Sequence, residues 1–204
     1  KYKAPLLKIS NINSTTTYKW IKNKKPDFIF CFGFSQLIRG LLIKNFKNKI
    51  LGFHPTDLPN NKGRHPIIWT IISGLKSSAV SFFLIDKTID GGKIVLKKKF
   101  KIPSNTNATK LYSMITVAAC KNLKKLKQNL TFKKFLRISK HNSSFWRKRS
   151  FCDGIIDWRM SADNIYRHFL ALSKPYPGVY FRFNDRLFQI KDCKIKKMNR
   201  FKNS

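Results

Sequence analysis

The sequence contains no glutamate. Its nine acidic residues are all aspartates, set against 43 lysines and arginines, and the formal charge over 204 residues is +34. That excess has two readings. One is a polyanionic partner, either tRNA or a phosphorylated substrate. The other is drift toward AT-rich codons, which raises Lys, Asn, Ile and Phe together. Cysteines are few and scattered (Cys31, Cys120, Cys152, Cys193), with no CxxC pair and no metal-ligand spacing. This excludes a zinc motif and reads as the reduced thiols of a cytoplasmic chain. Apolar runs such as Pro66 to Ile72 are far too short to span a bilayer, and no secretory signal opens the chain. Gly91-Gly92 stands outside any GxGxxG or GxxxxGK phosphate loop. There is no internal repeat.

Hydrophobic residues make up 42% and aromatics 14%, a composition that folds around a core. The length suits one full domain and a smaller second piece. A helix ends over Trp20 to Lys25 before Pro26. The run Asp27 to Phe32 then reads as a strand buried on both faces of a parallel sheet. Gln36 to Ile43 reads as a short helix, Lys49 to Phe53 as a second strand, and Pro66 as the start of a helix stopped by Gly74. Ala79 to Ile85 and Lys93 to Ile102 are further strands around a tight loop, Asp86 to Gly92. Thr109 to Leu126 reads as one amphipathic helix presenting Leu111, Met114, Ile115, Ala118 and Leu123 on one face. His141 to Arg149 reads as a basic linker, with Trp146-Arg-Lys-Arg149 able to touch phosphate. Beyond it lie a helix, Ile165 to Leu172, and a hairpin around Asn184-Asp185. Strands alternating with helices predict an α/β domain over 1–140. Residues 141–204 are expected to form a linker and a β-rich piece.

The densest stretch for chemistry is Gly52 to Arg64, GFHPTDLPNNKGR. His54 sits at a strand end before a proline-fixed loop, where open α/β sheets often carry reacting groups. Thirty-six residues on, Asp90 lies in a second loop after a strand. If both loops leave the same edge of a parallel sheet, the carboxylate meets the imidazole and orients it. Spacing alone also allows the plainer alternative, a structural histidine and a turn aspartate. His65, His141 and His168 have no partner pattern, and Phe28 to Phe34 alternate as core strand residues do.

The run HPTDLPNNKGRHPIIW, followed by a strand and a loop ending IDGG, resembles the folate-dependent formyltransferase family. That family includes methionyl-tRNA, glycinamide ribonucleotide and sugar-nucleotide formyltransferases. The likeness covers about residues 18 to 185 and is nearest the sugar enzymes. It implies a Rossmann-like domain and a C-terminal piece resembling an OB-like barrel. It implies 10-formyltetrahydrofolate as co-substrate, no metal and no membrane, with His54 and Asp90 as the catalytic pair. Gln36, Leu37 and Ile38 fall on the loop whose backbone holds the pterin. Arg64 falls on a folate-contacting arginine, and Asp86, Lys87, Thr88 and Ile89 lead to Asp90 in the loop closing that pocket.

Two departures stand out. Gly52 replaces the asparagine that would donate to the formyl oxygen, and losing one such donor typically costs roughly a hundredfold in rate. A first β-α-β unit carrying a Gly-rich turn also has no counterpart, and Lys1 is not a methionine. The expectation is therefore a fragment, poorly soluble or dimeric through its exposed edge. Three functions remain open: formyl transfer to an amine on a sugar nucleotide, formyl transfer to methionyl-tRNA, and a non-catalytic folate-binding or scaffold homologue.

Overall fold

A computed structural model describes residues 4–137 and 143–196. Fifteen short segments build it. Helix α1 (Thr15–Asn23) starts where the Ser14 hydroxyl accepts the Thr17 N–H, a side-chain N-cap. Strand β1 (Ile29–Cys31), helix α2 (Leu41–Asn45) and strand β2 (Ile50–His54) follow. The helix expected from Gln36 begins only at Leu41. Gly40 interrupts it with φ 59°, a left-handed conformation no helix continues through. After the short strand β3 (Lys62–Gly63) comes α3 (Pro66–Ile72), with proline in its first turn and Gly74 (φ 63°) beyond its end, as the sequence predicts.

Strands β4 (Ser77–Leu84) and β5 (Ile94–Lys101) complete a four-stranded sheet of order β1-β2-β4-β5. The sheet is mixed rather than parallel: β1 pairs parallel with β2, while β2–β4 and β4–β5 are antiparallel. The tight turn between β4 and β5 dictates their antiparallel pairing, because a parallel return needs a crossover of a dozen residues or more. Strand β1 is an edge among the described residues, with β2 as its neighbour. The run expected to be buried on both faces therefore leaves Phe30, Phe32 and Phe34 55, 45 and 42% exposed.

The expected single helix from Thr109 is two, α4 (Ala108–Lys121) and α5 (Leu123–Thr131), broken at Asn122. The Asn122 amide donates to the Ala118 carbonyl at 2.8 Å, a bond that competes with the helical ladder. Leu111 and Ile115 are buried as the periodicity requires, but the break turns Leu123 outward and buries Leu126 and Leu130 instead. These helices, α3 and the sheet enclose the main core around Leu51, Val80, Phe82 and Leu111. A second cluster, Ile12, Ile38, Leu42, Phe46 and Ile50, lies under β1 and α2.

The expected basic linker is only partly a linker. His141 lies outside the described residues. From 143 onward the chain forms β6 (Phe145–Trp146), which pairs parallel with β3. The Trp69 indole donates to the Arg147 carbonyl at 3.0 Å, Arg147 and Arg149 flank its ring, and Arg149 is 7% exposed. Basic composition suggests solvent, and the Arg147 side chain does stay exposed, but Arg149 is buried against the aromatic face of Trp69. A 3-10 turn (Phe151–Gly154), helix α6 (Ala162–Ala171) and the hairpin β7 (Val179–Phe183) with β8 (Arg186–Ile190) follow, α6 packing on α3. Among the described residues this C-terminal piece holds one antiparallel hairpin. All four cysteines are free. Among the described residues no helix is long and apolar enough to cross a membrane.

Candidate active site

His54 ends β2, and its side chain shares a face with Gly52, two residues back. It is 6% exposed. Its Nε2 lies 2.9 Å from the Asn61 carbonyl. A carbonyl only accepts, so Nε2 carries the proton and Nδ1 is left with its lone pair in the neutral ring. Nδ1 faces Asp90, 3.7 Å from Oδ2. The same carboxylate oxygen accepts the Gly63 N–H at 3.0 Å.

Asp90 reaches His54 by a route the sequence did not suggest. Strand β4 runs antiparallel to β2 and ends opposite Leu51, with Ser81 opposite His54. The Asp86–Gly92 loop therefore leaves from the far end of β2, where the Ile85 N–H still bonds the Ile50 carbonyl, and folds back toward the histidine. Two devices close it. Asp86 Oδ1 accepts from the Thr88 N–H (2.7 Å) and hydroxyl (2.5 Å), an Asx turn. Gly92 lies against the Leu84 carbonyl, which a Cβ would meet at 1.7 Å, so no side chain fits there.

The loop after His54 is braced from the two neighbouring strands. Ser81 and Ser78 hydroxyls donate to the Thr56 and Pro55 carbonyls at 2.6 and 3.3 Å. Lys97 and Lys99, two apart on β5, hold Asp57 at 2.7 Å each, and Lys97 also donates to the Leu58 carbonyl. Burial pushes the Asp57 carboxyl up, but the hydrogen bonds from both lysines outweigh it and the group ends below its ordinary value.

The other candidates form a contiguous string. Arg64, next to the Asp90-bonded Gly63, brings Nη1 to 3.5 Å from the Ser35 carbonyl, at the start of the 36–38 loop. In that loop Leu37 is exposed and Ile38 is buried in the second core cluster. The Gln36 side chain is spent on the protein itself, donating to Ser10 and accepting from Ile12. Ile89 is exposed beside Asp90, and no hydrogen bond or ion pair involves the Lys87 side chain among the described residues. Among the described residues no three His, Cys, Asp or Glu side chains group as metal ligands.

Gly52 has a neighbour the sequence did not reveal. Phe83 stands directly opposite it on β4. A Cβ on Gly52 would lie 2.7 Å from Phe83 Cζ, 2.9 Å from Cε1 and 3.0 Å from Ile85 Cγ1. Phe83 is buried with Leu58 and Ile94. An aromatic ring thus fills the space a side chain at 52 would take.

Residues 6–125 match the family model described as formyl transferase, and residues 149–203 match the formyl transferase C-terminal domain. The chain belongs to the formyltransferase family. It is 32% identical over 197 residues to the bifunctional polymyxin resistance protein ArnA of Wigglesworthia glossinidia brevipalpis, covering 96% of this chain and 30% of that protein. It is 28% identical over 189 residues to the methionyl-tRNA formyltransferase of Finegoldia magna, covering 91% of this chain and 60% of that one. Among solved structures, WlaRD, a sugar 3N-formyltransferase crystallised in the presence of dTDP and 5-N-formyl-THF, superposes with a TM-score of 0.62. It is 26% identical, with 71% of this chain and 53% of that one covered. The formyltransferase match contains His54, Asp90, the 36–38 loop and Arg64.

Proposed function

We propose that this formyltransferase chain moves a formyl group from 10-formyltetrahydrofolate to a primary amine carried by a sugar nucleotide, with His54 and Asp90 as the reacting pair. The observation that carries the reading is the buried His54, its Nε2 proton tied to a main-chain carbonyl and its Nδ1 turned to a carboxylate. The amine nitrogen bonds to the formyl carbon and a tetrahedral oxyanion forms. The bond from that carbon to N10 breaks and tetrahydrofolate leaves. Over the reaction the amine gives up one proton and N10 gains one. Nδ1 is the ring nitrogen free to receive and return that proton, and Asp90 stabilises the imidazolium in between.

The folate sits between the 36–38 loop and the Asp86, Lys87, Thr88, Ile89 segment, with Arg64 on its acidic side. The loop suits a pterin: among the described residues, no hydrogen bond involves the main-chain N–H groups of Gln36, Leu37 and Ile38, and a pterin edge offers them acceptors. In this reading residues 1–140 form the catalytic domain and 141–204 a connecting and C-terminal piece. The WlaRD likeness supports the sugar-nucleotide amine.

The +34 charge and the methionyl-tRNA formyltransferase relative favour a second reading, methionyl-tRNA. Salt separates the two: tRNA affinity falls steeply with ionic strength through counterion release, and that of a sugar nucleotide falls little. The site itself is tested by His54→Ala and Asp90→Ala, each expected to lower formyl transfer by about a hundredfold. Transfer at near-normal rate by both variants sinks the assignment. A folate that binds only the folded chain raises its melting temperature, and Arg64→Ala reduces the rise. Absence of any shift at saturating 5-formyltetrahydrofolate removes the folate pocket.

A further inference from the structure

Two side-chain amides join the 36–39 loop to a segment some two dozen residues earlier. Gln36 donates through Nε2 to the Ser10 carbonyl at 2.7 Å and accepts the Ile12 N–H through Oε1 at 2.9 Å. Asn13 does the reverse: Nδ2 donates to the Leu37 carbonyl at 2.9 Å and Oδ1 accepts the Arg39 N–H at 2.7 Å. Each amide thus makes a two-point bond to backbone, and the two are reciprocal, one from each segment. Four hydrogen bonds fix a stretch with no regular secondary structure, flanked by Gly33 and Gly40 in left-handed conformation at φ 62° and 59°.

The segment on the other side is a rigid support. Ile12 is buried in the second core cluster. The Asn13 N–H bonds Asn11 Oδ1 at 2.9 Å, an Asx turn. The Thr17 hydroxyl, buried on the first turn of α1, donates to the Asn11 carbonyl at 3.1 Å, and Ser14 caps that helix. A glycine-flanked loop would otherwise sample many shapes. Tied to this support it has one, and the amides holding it take only the Arg39 N–H, leaving those of Gln36, Leu37 and Ile38 without a bond among the described residues.

We infer that Asn13, acting with the side chain of Gln36, is a positioning residue that sets the 36–39 loop in the shape that receives the folate co-substrate; this rests on the folate reading above. Asn13 touches no reacting atom. Its effect is to keep the binding-competent loop populated, since affinity falls in proportion when that fraction falls.

The test uses Asn13→Ala, which removes both bonds, and Asn13→Asp, which keeps the acceptor for Arg39 and loses the donor to Leu37. Asn107→Ala serves as control: it removes the N-cap acceptor of α4 for the Lys110 N–H and lowers stability away from the loop. Binding of 5-formyltetrahydrofolate is measured by calorimetry well below the melting temperature, alongside amide exchange at Arg39. Expected are an affinity loss of about tenfold or more for Asn13→Ala, the scale of one or two hydrogen bonds, and a smaller loss for Asn13→Asp. Arg39 exchange should be fast in Asn13→Ala and slow in Asn13→Asp, and Asn107→Ala should bind as wild type. Unchanged affinity in Asn13→Ala, or equal losses in Asn13→Ala and Asn107→Ala, overturns the inference and leaves the folate reading standing. Failure of the wild type to bind overturns both. If Asn13→Ala does not fold, Asn13→Asp against wild type decides on the same terms.

Discussion

Gly52→Ala isolates the contact between Gly52 and Phe83. The backbone at Gly52 is not left-handed, so alanine is free to adopt it and gains roughly 0.5–1 kcal/mol from the stiffer unfolded chain. Against that stands a methyl 2.7 and 2.9 Å from two ring carbons. The ring is buried with Leu58 and Ile94, and inserting a carbon into a packed site costs about 1–3 kcal/mol. The clash is the larger effect, and the net loss is on the order of 1 kcal/mol, a melting-temperature drop of about 2–4 °C at this chain length. Phe83→Leu alone leaves a cavity and also destabilises. Combined, the two relieve each other, and a thermal-denaturation double-mutant cycle should return a coupling of about 1 kcal/mol or more. Gly52→Asn with Phe83→Leu then makes room for an amide beside His54. If the absent oxyanion donor limits the rate, formyl transfer rises by about tenfold or more over Phe83→Leu. Gly52→Ala at wild-type stability, or strictly additive effects, refutes the reading that Phe83 fills this space.

The hydrogen bond to the Asn61 carbonyl predicts that neutral His54 is the Nε2–H tautomer. Long-range nitrogen–proton correlation spectra should show an unprotonated Nδ1, and the opposite tautomer would overturn the proposed proton path. Hydrogen bonding from Arg147 holds the Asp153 carboxyl well below its ordinary 3.8. Because the folded state favours the ionised form, its contribution is complete above that value and is lost as pH falls below it. The melting-temperature gap between wild type and Asp153→Asn should hold from neutrality to about pH 4 and close below it; a gap that stays open in acid refutes the pairing.

Local chemistry was legible where proline and glycine spoke for themselves. Pro66 and Gly74 bracket α3 because one has no N–H to lose and the other adopts positive φ freely. Long-range geometry was less legible. A motif drew attention to His54 and Asp90, but the expected arrangement of two loops at one parallel edge is not how they meet; the strands are antiparallel and one loop doubles back. Nothing local marks which strand a run will pair with. Composition misled at Arg149, since a basic stretch looks solvated until Trp69 is found beneath its guanidinium. The partner of Gly52 was invisible for the same reason: Phe83 is thirty-one positions away and opposes it only through sheet register.

The loops around His54 are wound against their preference. Asn61, Gly63, His65 and Asp90 all take positive φ, at 60°, 100°, 55° and 48°. For the three that are not glycine, left-handed backbone costs roughly 1 kcal/mol each, least for Asn and Asp. Bonds within the loops, from Thr88 to Asp86 and from the Gly63 N–H to Asp90, offset part of that tension, and the remainder is carried from outside. It is borne by the Ser78, Ser81 and Lys97 bonds to the neighbouring strands and by the β3–β6 pairing beneath. Heating or mild denaturant will uncoil this region before the sheet gives way. Formyl transfer should accordingly fail several degrees below the temperature at which the core melts, an order of events set by where the strain is stored.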